Sequence, residues 1–175
     1  MSREGEGTVL EGRDVLDVCR LDWDSYFMQL ANDVAMRATC SRKRVGAVFV
    51  SDDHAILATG FNGAPRGMPH CDHSVTVISS AGTQHKQVDK NGNCITAVHA
   101  EMNGIFNAAR HGVSLVGATV YLTVAPCRHC FHGLVQVGVR RIVYCDTCPY
   151  YDFTTKCERL GIVGTRLTEQ RWEPV

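Results

Sequence analysis

Residues 99–145, HAEMNGIFNAARHGVSLVGATVYLTVAPCRHCFHGLVQVGVRRIVYC, decide how the chain folds. HAEMNGIFNAARHG reads as a helix ended by Gly112. ATVYLTV (118–124) reads as a strand. Pro126 then opens a helix through CRHCFHGLVQVG, since a first helical residue has no use for the N–H that Pro lacks. RRIVYC (140–145) is the next strand. Upstream, Asp22 to about Ala38 is an amphipathic helix, with Tyr26, Leu30, Val34 and Ala38 at helical spacing and Phe27 and Ala31 widening the stripe. VGAVFVS (45–51) and HAILATGF (54–61) form a hairpin across Asp52-Asp53. Downstream come a short helix near 153–160 and a strand, GIVGTRL (161–167). The order α-β-β-α-β-α-β-α-β predicts an α/β protein. Its expected form is a three-layer α/β/α sandwich on a central five-stranded mixed sheet, mostly parallel after the first hairpin.

Two segments stand outside that pattern. Residues 1–20 have weak periodicity and read as a flexible arm before a single domain over 21–175. Residues 62–95 are rich in Gly, Pro, His, Ser and Asn, so this loop is either functional or tied down by something other than a core.

Composition narrows the function. The 175 residues carry 18 Lys and Arg against 18 Asp and Glu. Proteins that grip polynucleotides through phosphates usually carry a basic excess, so the balance weighs against such a partner. No apolar run reaches the roughly 20 residues that span a bilayer, and MSREGEGTVLEGRD is no signal peptide, so a cytoplasmic protein is expected. Nine cysteines, at 19, 40, 71, 94, 127, 130, 145, 148 and 157, are many for such a chain. Metal thiolates explain them better than a secreted disulfide framework.

The chemistry sits at two helix starts, His99-Ala100-Glu101 and Pro126-Cys127-Arg128-His129-Cys130. One His and two Cys leave a fourth tetrahedral position on zinc for water, as catalytic sites do and structural sites do not. Cys127 and Cys130, three apart on one helix, aim at one point. Two thiolates cancel the ion's charge, and the helix N-termini favour thiolate and hydroxide. Bound water then ionises near pH ~7. Glu101 stands beside the metal without ligating it. It is expected to take the water's proton and pass it to a ring nitrogen and then a departing amine, worth roughly 10²–10⁴-fold in rate. A lone H-x-E is commonly a solvated helix face, and a lone C-x-x-C has many uses. Joined by a strand, in this order and with Pro before the first Cys, they match the general signature of zinc deaminases.

A rival pairing exists. Cys145-Asp-Thr-Cys148 is a second C-x-x-C, and with Cys127 and Cys130 it approaches a zinc ribbon, a non-catalytic binding module. The helix and strand between the pairs would carry them apart, and a ribbon leaves HAE unexplained.

HAEMN and APCRHC, preceded by CSRKRVGAVFV (40–50) and TGFNGAPRGMPHC (59–71), closely resemble the deoxycytidylate (dCMP) deaminases, nearest to their bacterial and phage branch, over roughly residues 24–165. The two metal motifs alone also fit deaminases of cytosine, guanine, riboflavin precursors and tRNA adenosine. The GFNGAPRG loop favours dCMP. The resemblance implies the cytidine-deaminase fold and hydrolysis of dCMP to dUMP and ammonia, with zinc-bound hydroxide attacking C4 while Glu101 protonates N3. Substrate contacts are expected at Asn62, on the sugar, and at Ala100. A deaminase of another base or of a 5-modified cytosine nucleotide is the alternative. The resemblance also implies a homo-oligomer, commonly a hexamer, activated by dCTP and inhibited by dTTP, with Mg²⁺ accompanying a triphosphate effector. Arg110 falls where family members make subunit and effector contacts, or is simply a solvated arginine ending a helix. Arg42, Lys43 and Arg44 form the one dense basic cluster, which meets substrate or effector phosphate or else faces solvent.

Cys40, Cys71 and Cys94 remain. Relatives of the phage and bacterial type often carry a second zinc that ties the long loop to the body. These three thiolates plus a histidine would complete its tetrahedron. His85 is the chosen fourth ligand, with His73 and His70 close behind. Metal binding there would order a segment with little apolar pattern of its own. Cys19, Cys145, Cys148 and Cys157 are read as thiols outside either centre.

Overall fold

The computed structural model describes residues 20–71, 77–78, 84–85 and 94–168. The expected N-terminal arm, apart from Arg20, lies outside them, as do Cys19 and His73. Helix α1 (Trp23–Ala35) starts at Asp22, whose side chain accepts from the Ser25 N–H at 2.9 Å. It stops three residues short of the expected Ala38. Arg37 and Ala38 turn back on Val34 and Ala35 by tighter bonds, and Thr39 N–H leaves the helix for the Asn62 carbonyl.

Strands β1 (Gly46–Val50) and β2 (Ile56–Phe61) form the antiparallel hairpin read from the sequence. Its turn is longer than expected, because His54 adopts a positive φ of 68° and delays β2 to Ile56. Within 62–95, expected to lack regular structure, two short strands pair, β3 (Val77–Ile78) with β4 (Gln84–His85).

The chain continues through α2 (Ala100–Arg110), β5 (Thr119–Val124), α3 (Arg128–Gln136), β6 (Arg141–Asp146), α4 (Thr154–Leu160) and β7 (Val163–Arg166). Gly112, at φ 67°, follows the end of α2 as the sequence predicted. Pro126 does not open α3. It is buried between β5 and the helix, and Cys127 is the cap.

The main sheet has the order β2-β1-β5-β6-β7. β1 runs antiparallel to both neighbours, whereas β5, β6 and β7 are parallel. Alternation along the strands makes the three layers. Val48, Val50, Tyr121 and Val143 face Phe27, Met28 and Ala31 of α1. Ala47, Phe49, Val120, Leu122, Ile142 and Tyr144 face the opposite layer, with Ala108, Phe131, Leu134 and Cys157 from the other helices. All five residues of β1 are buried, as a strand covered on both faces must be.

One polar tie crosses the α1 layer. Arg141 clasps Asp24 with two bonds of 2.6 Å, and the Tyr121 hydroxyl donates to the same carboxylate at 2.9 Å. The Arg141 bonds hold the Asp24 carboxyl below its ordinary range. A depressed carboxyl contributes stability above its unfolded value of 3.8, and that contribution disappears as pH falls through the folded value. Asp24→Asn should therefore cost about 1 kcal/mol at neutral pH, since the pair is partly solvated. In urea titrations the gap to wild type should close on acidification; a gap constant with pH would exclude this ion pair as its source.

Candidate metal centre and active site

Two helix N-termini converge beyond the carboxyl end of β5. His99 is the cap residue of α2 and Cys127 that of α3. His99 Nδ1 lies 3.6 Å from Cys127 Sγ and 3.4 Å from Cys130 Sγ. Tetrahedral bonds to zinc of standard length put a nitrogen and a sulfur about 3.6 Å apart, so these residues fit the ion. Two constraints position the candidate ligands. Cys127 and Cys130 follow from the turn that Pro126 makes out of β5. His99 follows from Val98, whose backbone pairs in both directions with Gly63, at 2.8 and 3.1 Å.

The three side chains perturb one another's protonation. Cys130 and His99 donate toward Cys127 and hold that thiol far down, to about 3. The neighbouring Cys127 thiolate pushes Cys130 up. The bond to Cys127 also raises His99. Glu101 is buried at 4% exposure. Burial pushes its carboxyl up to about 7, against the lowering pull of His99. A carboxyl so placed can take and return a proton near neutral pH.

A second group forms as the sequence suggested. The Cys40, Cys71 and Cys94 sulfurs lie within 4.8 Å of one another. Cys40 and Cys71 sit on a parallel bridge. Burial, then the flanking Cys94 and Cys40, push Cys71 up to about 12. Burial also raises Cys94, but the Ala97 and Thr96 N–H groups together with Cys71 and Cys40 outweigh it and hold the thiol below its ordinary value. Three sulfurs this close fit a soft dication, which would take all three as thiolates. Of the candidate fourth ligands, His70 is exposed, His85 is described only in its backbone, and His73 is outside the described residues. Cys145 and Cys148 join neither group, so the ribbon pairing does not form.

The remaining expected site residues are placed as follows. Asn62 is buried. Its amide donates to the Lys43 carbonyl and accepts from the Val45 N–H, both at 2.8 Å, so it fastens the basic segment to β2. Ala100 is fully buried, its carbonyl against Gly60, where any Cβ would collide with it. Arg42, Lys43 and Arg44 are exposed, with Arg44 reaching Met36 Sδ at 3.6 Å. Arg110 is exposed in the last turn of α2.

Sequence reasoning missed Asn103 and Asn107, whose amides reach the carbonyls of Phe61 and Thr59. Asparagine is a weak helix former, and two of them four apart inside one helix were the available signal.

The profile of the cytidine and deoxycytidylate deaminase zinc-binding region matches residues 21–146. The chain belongs to this deaminase family. The deaminase is 38% identical over 125 residues to the deoxycytidylate deaminase of Mycobacterium phage D29, covering 71% of this chain and 95% of that one. Its identity to the deoxycytidylate deaminase of Enterobacteria phage T2 is 32% over 150 residues, with 70% and 79% covered. The crystal structure of the cyanophage S-TIM5 dCMP deaminase, solved with dCMP and dUMP, superposes with a TM-score of 0.65 at 25% identity, over 81% of this chain and 94% of that one. The family and both metal-ligand groups support zinc as the ion. No helix among the described residues of the deaminase is long and apolar enough to cross a membrane.

Proposed function

We propose that this chain hydrolyses dCMP to dUMP and ammonia. The observation that carries the reading is the buried Glu101 carboxyl beside His99, Cys127 and Cys130, at donor spacings that fit zinc. The names of the phage relatives support dCMP as the substrate. His99, Cys127 and Cys130 would hold the ion, which when bound supplies the Lewis acidity that makes hydroxide available near neutral pH. Glu101 accepts a first proton from the water and delivers it to N3 of the base. It then takes the remaining proton from the oxygen added at C4 and hands it to the departing amine, which leaves as ammonia. Its raised carboxyl suits each of these transfers. Asn62 and Ala100 are assigned to the substrate pocket on the family resemblance, and the 42–44 cluster to substrate or effector phosphate on its density of positive charge. The resemblance supports a hexamer under dCTP and dTTP control; a cytoplasmic location and one domain over 21–175 are proposed on the sequence pattern.

The test is ammonia release from dCMP, deoxycytidine, dCTP, cytosine and 5-substituted dCMP, with and without each effector. Preference for dCMP supports the reading. Preference for a 5-modified nucleotide would replace the substrate, and silence across the panel would overturn the reading.

The Cys40, Cys71 and Cys94 group is proposed as a structural zinc site with a histidine as fourth ligand. Fully loaded protein should then carry two zinc ions per chain. Cys71→Ser should carry one and melt roughly 5 °C lower or more, because metal binding here is folding energy. One zinc per wild-type chain would remove the site.

A further inference from the structure

We propose that Asn103 is a positioning residue for the catalytic centre. By donating its amide to the Phe61 carbonyl, it fixes the first turn of α2, and with it His99 and Glu101, against β2. The bond is 2.7 Å long and partly buried. The backbone N–H of the same residue closes the opening turn of α2 on the His99 carbonyl, at 2.9 Å. Asn103 therefore holds the ligand-bearing turn with its backbone and moors that turn to the sheet with its side chain.

Such a mooring matters because of how the centre is assembled. Cys127 and Cys130 come from the β5–α3 junction, whereas His99 and Glu101 ride on α2. The spacing of His99 from the two sulfurs thus depends on how far α2 sits along β2. That contact is bare backbone: a Cβ on Gly60 would strike the Ala100 carbonyl oxygen and the Gly104 nitrogen, both in the first turns of α2. Val98, paired with Gly63, anchors the chain just before His99. The close contact at Gly60 adds no interdigitating side chain of its own, so a further tie is needed to hold the turn that carries Glu101 in register. Among the described residues β2 is an edge strand, so carbonyls on its outer side have no ladder partner there. Thr59 and Phe61, two apart, point theirs the same way, and Asn107 and Asn103 read them at 3.3 and 2.7 Å. The Phe61 bond is the shorter and lies at the catalytic turn. The Thr59 bond lies about 6 Å further along the helix, where it fastens the body of α2. A shift near 1 Å at a reacting group costs on the order of 100-fold in rate.

The inference rests on the catalytic reading above, and its test separates the two. Asn103→Leu, Asn103→Asp and Asn107→Leu are compared with wild type in the full, zinc-loaded chain. Asn103→Leu should lower kcat on dCMP roughly 10- to 100-fold with KM within about twofold, and should lose the catalytic zinc faster to a chelator. Both leucine variants should melt earlier than wild type by similar margins, but Asn107→Leu should keep kcat within about twofold, as a contact that only holds the fold does. In Asn103→Asp an ionised carboxylate cannot donate to Phe61, whereas a protonated one can, so its kcat relative to wild type should recover as pH falls. Wild-type kcat and zinc retention in Asn103→Leu, equal kcat losses in the two leucine variants, or a pH-independent ratio for Asn103→Asp would each overturn the proposal. If Asn103→Leu does not fold, the Asn103→Asp ratio decides. If wild type deaminates no cytosine nucleotide, the functional reading fails, and zinc retention still decides the role of Asn103.

Discussion

Glu101→Gln keeps its full zinc content and releases ammonia from dCMP roughly 10²–10⁴-fold more slowly than wild type, the range that a positioned proton shuttle supplies. Glutamine matches glutamate in shape, so the pocket and the ligands stay as they are. What is lost is a group that can accept a proton and give it back. Because burial pushes the Glu101 carboxyl up to about 7, the wild-type side chain exchanges protons near neutral pH, and an amide cannot. The loss should fall on kcat and leave KM nearly unchanged, since proton transfer develops in the transition state. Wild-type turnover in this variant, measured by the absorbance change of dCMP at matched zinc content, would remove Glu101 from the mechanism.

Cys130→Ser has an equally large effect by another route. Cys130 is buried, and its sulfur lies 3.4 Å from His99 Nδ1. A serine hydroxyl is a poor zinc ligand at neutral pH, so affinity should fall by more than the roughly 10–100-fold that losing an outer-shell partner costs. The variant should carry one zinc fewer per chain and show no measurable deamination. Its fold should persist, because the sheet and both apolar layers do not run through this sulfur. Circular dichroism like that of wild type, with the metal missing, is the expected pair of results. Full zinc content and full activity would exclude Cys130 as a ligand.

The catalytic group was legible because each half of it is local. His99 and Glu101 are two residues apart, Cys127 and Cys130 three, and one strand joins them. The layers were legible for a similar reason, since alternating and helical periods print directly onto β1, β5 and α1. What the sequence did not display are contacts between distant residues whose types are ordinary on a surface. Asp24 and Arg141 are 117 positions apart, and nothing in either neighbourhood marks the pair. Asn62 was expected against the sugar. Its side chain binds backbone groups of Lys43 and Val45, a structural duty that a motif does not reveal. Pro126 misled because a proline that opens a helix and one that ends a strand look alike in a string. Cys40, Cys71 and Cys94 were grouped through family resemblance rather than local pattern, and folding brings their sulfurs together.

The most direct test removes all zinc from the protein with a chelator and returns it stepwise while dUMP formation from dCMP is followed. Activity should be absent in the stripped protein, rise as His99, Cys127 and Cys130 fill, and fail to return at any zinc level in Cys130→Ser. Full dCMP deamination by zinc-free protein, or none by the fully reloaded wild type, would contradict it.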